Sequence, residues 1–139
     1  YLTGGRMRIP HPDGGTEPLG SRIIVVPQDN ARVLARDPRI GFIAYVPPGS
    51  IKKGETLATT GDNGKTIACS ICHGAGLTGV GNTPRLAGAH PTYIARQLYN
   101  FKIGASNGMA AALMKPVVAN MTDEDILNVA AYVASLPRN

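Results

Sequence analysis

Near the middle of the chain two cysteines stand three positions apart, with a histidine directly after the second: Cys69-Ser70-Ile71-Cys72-His73. Thiols and an imidazole at this spacing match the attachment site of a c-type haem (heme c). The two thiols add across the vinyl groups of the porphyrin, and the resulting thioethers fix the macrocycle to the chain. The imidazole next in line is then held beneath the iron as its proximal ligand. Three other readings compete. A redox dithiol expects a thioredoxin-like βαβ setting, which the flanking sequence lacks. Half of a zinc site needs a second cysteine pair, yet the chain has two cysteines in all, and His11 and His90 stand alone. A structural disulfide would leave the adjoining histidine a coincidence. One covalent haem on Cys69, Cys72 and His73 is therefore expected.

The opposite face of an iron held in this way needs a ligand, unless the site is open. Met109, Met114 and Met121 lie downstream, as does His90. Met121 directly precedes Thr122, a helix N-cap, where it can pack on Ile126 as a hydrophobic staple. Met114 sits in Leu113-Met114-Lys115-Pro116, where the proline would stiffen a loop around a sulfur held at fixed distance. Met109 belongs to a small-residue stretch, Gly108 to Ala112, and reads as filler. Core filling is the default for a methionine; of these residues Met114 is favoured as the ligand, with Met109 second. Met7 and His11 fall in a glycine- and proline-rich start that reads as a surface arm. A proximal histidine also needs an acceptor for its second ring nitrogen. A backbone carbonyl in Asn82–Gly88 is the natural candidate.

The elements that must position these groups change character near residue 50. Arg22–Pro27, a short β-branched run closed by proline, and Ile40–Val46, closed by Pro47-Pro48, predict two strands pairing as an antiparallel ribbon. A helical turn starting at Asp29 or Asn30 lies between them. Such a ribbon is marginal in water by itself, so residues 1–49 are expected to be an extension packed on a haem domain at 50–139. From Ser50, a plausible N-cap, a helix runs to about Thr60 and stops at Gly61-Asp62-Asn63-Gly64. The glycine-rich loop from Gly74 to Gly81 lets backbone pass close to a bulky planar ligand. His90-Pro91 opens another helix, with proline in its first turn and Gly104 at its exit. Thr122 and Asp125 make a capping-box pattern for a last helix striped with Ile126, Val129, Ala130, Val133 and Leu136. Its alanines at 130, 131 and 134 would admit a close helix neighbour.

Composition agrees with a haem centre without proving one. With 139 residues, no tryptophan and 5% aromatics, the chain can complete one core by wrapping a porphyrin. The formal net charge is +5. It favours acidic protein partners or an anionic membrane surface. The basic residues are scattered and not interleaved with aromatics, which argues against nucleic acid. No apolar run is long enough for a transmembrane segment. Tyr1-Leu2-Thr3-Gly4-Gly5 lacks the charged start and apolar stretch of a signal peptide, as expected of a mature chain whose leader has been removed, or of a trimmed one.

Taken together, the sequence resembles a class I c-type cytochrome. It is similar to the small bacterial monohaem forms and to the domains of bacterial dihaem cytochromes. The shared pieces are Cys69-Ser70-Ile71-Cys72-His73-Gly74, Pro84-Arg85-Leu86-Ala87-Gly88 with His90, Tyr93, Gln97-Leu98, and Met114 ahead of Met121-Thr122-Asp123-Glu124-Asp125-Ile126 and Ala130-Ala131-Tyr132. The resemblance covers about residues 50–139 and departs at the arm. It implies an all-α fold around one haem in which the first and last helices cross. It also implies that the Pro84 carbonyl takes the hydrogen bond of His73, and that Met114 is the second axial ligand. The implied function is electron transfer by a non-enzymatic carrier cycling between Fe(III) and Fe(II). Alternatives are the cytochrome subunit of a larger periplasmic oxidoreductase and an open-site haem enzyme or gas sensor. Haem attachment of this kind points to the periplasm or an equivalent compartment, and the partners expected are redox proteins with acidic docking surfaces.

Overall fold

The computed structural model describes residues 11–138, so Met7 lies outside the described residues. The chain divides into two units at Pro47–Pro48. In the first, β1 (Ile24–Pro27) and β2 (Phe42–Tyr45) pair antiparallel, Ile24 opposite Tyr45 and Pro27 opposite Phe42. Between them lies α1 (Asn30–Leu34), begun by Asp29, whose carboxylate accepts from the N–H groups of Ala31 and Arg32. Arg32 then pairs with Asp37 at 2.7 Å, closing the connection back to β2.

The second unit is helical: α2 (Ser50–Thr60), α3 (Cys69–His73), α4 (Pro91–Lys102), α5 (Ala111–Val118) and α6 (Asp123–Ser135). Together with the ribbon of the first unit this is the expected all-α fold with a short β-ribbon. The helices α2 and α6 make the largest interface, α4 packs on α6 and α5, and α2 packs on α3. Leu57 and Ala58 from α2, Ile94 and Leu98 from α4, and Val129, Ala130, Ala131 and Val133 from α6 are buried. Ala130 and Ala131 of α6 do lie in the core, while Ala134 is only half-buried, and the close approach is set from the other side. A Cβ on Gly54 would run into the Asn128 carbonyl and the Cβ of Tyr132, so the glycine lets α2 come down onto the α6 backbone.

Three local expectations need correcting. The cap of α2 is Gly49, in a left-handed turn with φ 82°, and not Ser50, which is the first helical residue and buried. Met114 and Pro116 are in a helix, not a loop. Pro116 removes only the bond to the carbonyl of Ala112, an exposed residue whose oxygen can turn to water. Met109 is fully exposed and fills no core. Elsewhere the patterns hold. Pro91 opens α4 after His90, and both bonds of the Thr122–Asp125 capping box are present. Met121 and Ile126 are both buried at the start of α6, as a staple requires.

Candidate haem-binding site

The motif Cys69–His73 forms a single helical turn. On a helix, residues three and four apart share a face, so Cys72 and His73 both neighbour Cys69. Leu57 O accepts from the N–H of Gly61, ending α2, and Thr66 N–H returns to Gly61 O at 3.1 Å. A Cβ on Gly61 would strike the Thr66 carbonyl. The approach to the motif is thus a closed loop.

Beyond the motif, the glycine-rich segment folds on itself. Gly79 N–H donates to His73 O, and Val80 and Thr83 exchange two backbone bonds. Leu77 is the buried anchor, at 1% exposure. Its carbonyl accepts from both Leu86 and Ala87, each at 2.9 Å. Gly79 has φ 89° and no room for a Cβ, which would meet Thr83 O and Arg85 N. Farther on, Gly88 N–H donates to Val133 O and so ties the loop to α6.

Those bonds bracket Pro84, whose carbonyl oxygen lies 2.7 Å from His73 Nδ1. A carbonyl can only accept, so Nδ1 carries the proton, and the ring nitrogen left to bind a metal is Nε2. His73 is 7% exposed, and its ring orientation is fixed by this bond. The two cysteines are not joined: Cys69 and Cys72 carry free thiols. Burial pushes the Cys69 thiol up to about 11.

The donor set fits a covalent haem. Two alkylatable sulfurs and an oriented imidazole nitrogen sit on one helical turn. Large apolar side chains on the surrounding elements also stand outward, Ile71 on α3, Val80 in the loop and Leu113 on α5 among them. Apolar surface of that kind is what a porphyrin would cover.

Met114 is on a different element, half-buried in α5. The links from the segment before the motif to α5 and α6 run through residues that sequence reasoning passed over. Thr66 Oγ1 donates to Val117 O at 2.5 Å, and Lys65 Nζ pairs with Asp125 at 2.8 Å. Both contacts join residues fifty or more positions apart, so no local pattern signals them. Asp125 also accepts from the N–H and hydroxyl of Thr122, each at 2.7 Å. Burial opposes its ionisation, but the bonds from Lys65 and Thr122 outweigh that and hold its carboxyl below the usual range. His90 is at the α4 N-cap and exposed, and His11 is an exposed residue of the first unit beside Asp13.

Comparison with known proteins comes back to the same segment. The model of the family described as cytochrome c matches residues 51–137. A thiosulfate dehydrogenase electron acceptor from Thiomonas intermedia is 41% identical over 100 residues, covering 70% of this chain and 46% of its own. Cytochrome c4 from Thiocapsa roseopersicina is 41% identical over 90 residues, covering 65% of this chain and 42% of its own. Among solved structures, cytochrome c4 of Acidithiobacillus ferrooxidans superposes with a TM-score of 0.58 at 35% identity, over 63% of this chain and 49% of that one. The matched segment therefore spans about half the length of each of these three relatives.

Proposed function

We propose that this chain, which belongs to the cytochrome c family, is an electron carrier holding one covalent c-type haem through Cys69 and Cys72, with His73 and Met114 as axial ligands. The single observation that carries the reading is the buried His73, its Nδ1 bonded to Pro84 O and its Nε2 left to a metal, on the same turn as two free thiols. When bound, the haem supplies a one-electron Fe(III)/Fe(II) couple. The chain does the rest. Cys69 and Cys72 anchor the group, and Pro84 fixes the tautomer and angle of His73. The pairing of a histidine with a neutral thioether raises the potential relative to two histidines.

The charge pattern supports partners with acidic docking surfaces. From Asn63 to Thr122 the chain has no Asp or Glu, while Lys65, Arg85, Arg96, Lys102 and Lys115 fall within that stretch. The segment that carries all the haem-binding candidates is thus cationic, which favours encounter with an acidic redox protein. No described helix is long and apolar enough to cross a membrane. The expected setting is the periplasm, where haem is attached and such carriers meet their partners, and the net positive charge also favours peripheral contact with an anionic membrane surface.

A second reading has a specific observation behind it. The similarity to an electron acceptor of thiosulfate dehydrogenase favours service to a dehydrogenase, as a cytochrome subunit of a larger complex. In either case the chain itself transforms no substrate. Spectroelectrochemical titration of the isolated protein tests the reading. A single reversible one-electron wave is expected, together with the weak sulfur-to-iron band in the ferric spectrum. An iron that binds carbon monoxide or peroxide without losing a ligand would instead indicate an open-site enzyme or sensor.

A further inference from the structure

Just ahead of the haem-attachment turn, one buried hydroxyl reaches across the molecule to the helix that carries Met114. Thr66 is 9% exposed, and its hydroxyl donates to Val117 O at 2.5 Å. The other acceptor within reach, Ile67 O, is 3.5 Å away, at the limit of a hydrogen bond. Val117 lies in the last turn of α5, where carbonyls lack intrahelical donors. The N–H four residues on, that of Met121, goes to Val118 O instead. Pro116 further weakens the ladder of α5 by removing one N–H. The Thr66 hydroxyl therefore serves an oxygen that the helix leaves open.

The position of this bond matters more than its strength. Thr66 stands three residues before Cys69, and Val117 three residues after Met114. The bond joins the segment that carries the porphyrin to the helix that carries the candidate sulfur. Thr66 itself is fixed, since its N–H is bonded to Gly61 O and the preceding Lys65 is paired with Asp125. A thioether is a weak ligand, and a weak ligand competes well only when its support holds it in place.

We infer that Thr66 is a positioning residue for the axial sulfur: its hydroxyl holds α5 against the haem-attachment segment, so that Met114 keeps its place when other ligands compete. This rests on the His73/Met114 reading above. The test is titration of the ferric holoprotein with imidazole, followed by the sulfur-to-iron band, in the wild type, Thr66→Val and Thr66→Ser. Loss of one neutral hydrogen bond should let imidazole displace the sulfur from Thr66→Val at about fivefold lower concentration. Thr66→Ser, which keeps the hydroxyl, should titrate like the wild type; if the valine variant fails to load haem, Thr66→Ala, which also lacks the hydroxyl, is titrated in its place with the same expectation. A valine variant that melts at lower temperature but titrates like the wild type would show that the hydroxyl only supports the fold. A serine variant titrating well below the wild type would also overturn the inference. Absence of the band from the wild type would refute methionine ligation itself, and the role of Thr66 with it.

Discussion

The Asp125 carboxylate caps its own helix through Thr122 and ties it to the Lys65 segment, and its titration should be visible in the stability of the protein. Its pKa is depressed in the folded state, with Lys65 and Thr122 overcoming the cost of burial. A depressed carboxylate contributes stability that is complete above its unfolded value, near 3.8. That contribution is lost as pH falls through the folded one. Thermal melts of the wild type should therefore show a loss on acidification below about pH 4. The variant Asp125→Asn should be less stable at neutral pH, by about 2 kcal/mol, and flatter across that interval. The methionines separate just as cleanly. Met114→Ala should abolish the sulfur-to-iron band and lower the reduction potential. Met109→Ala should change neither, because its side chain is fully exposed. Met121→Ala should keep the band but cost about 2–4 kcal/mol in a chemical denaturation curve, as a buried methionine lost from a core does. Much at this scale was legible. The capping box lies within four consecutive residues, and C-x-x-C-H within five. The Thr66–Val117 and Lys65–Asp125 bonds were not, since they depend on how distant elements pack.

Elements show the same division. The last helix was readable from Thr122 through its apolar stripe because cap, period and terminating Pro137 all agree. The Met114 segment was misread as a loop because Pro116 is ordinarily a breaker; in a two-turn helix, losing one bond to an exposed carbonyl is tolerated. Gly54 lies inside α2, although a glycine inside a helix costs about 1 kcal/mol relative to alanine. The structure gives the reason, since α2 lies on the Asn128 carbonyl at that point. Gly54→Ala should therefore destabilise the protein in spite of its better helix propensity, by about 1–3 kcal/mol from overpacking. Urea denaturation would measure it. A stabilised variant would mean that α2 and α6 do not approach as closely as the structure has them.

At the scale of the molecule, the change of character near residue 50 was visible in the sequence, as β-branched runs gave way to helical periodicity. The chain divides at Pro47–Pro48. A two-stranded ribbon has too little core to stand alone in water. We therefore expect removal of residues 1–49 to lower the melting temperature of the holoprotein; an unchanged melt would make the arm an independent appendage. For the remaining 90 or so residues the account depends on one covalent group completing a core poor in aromatics. The most direct test is the intact mass of the protein, matured with a haem-attachment system and then denatured in acid. The prediction is the 14.5 kDa chain plus one haem, reduced to the bare chain by replacing Cys69 and Cys72 together. A wild-type mass equal to the bare chain would contradict the central claim.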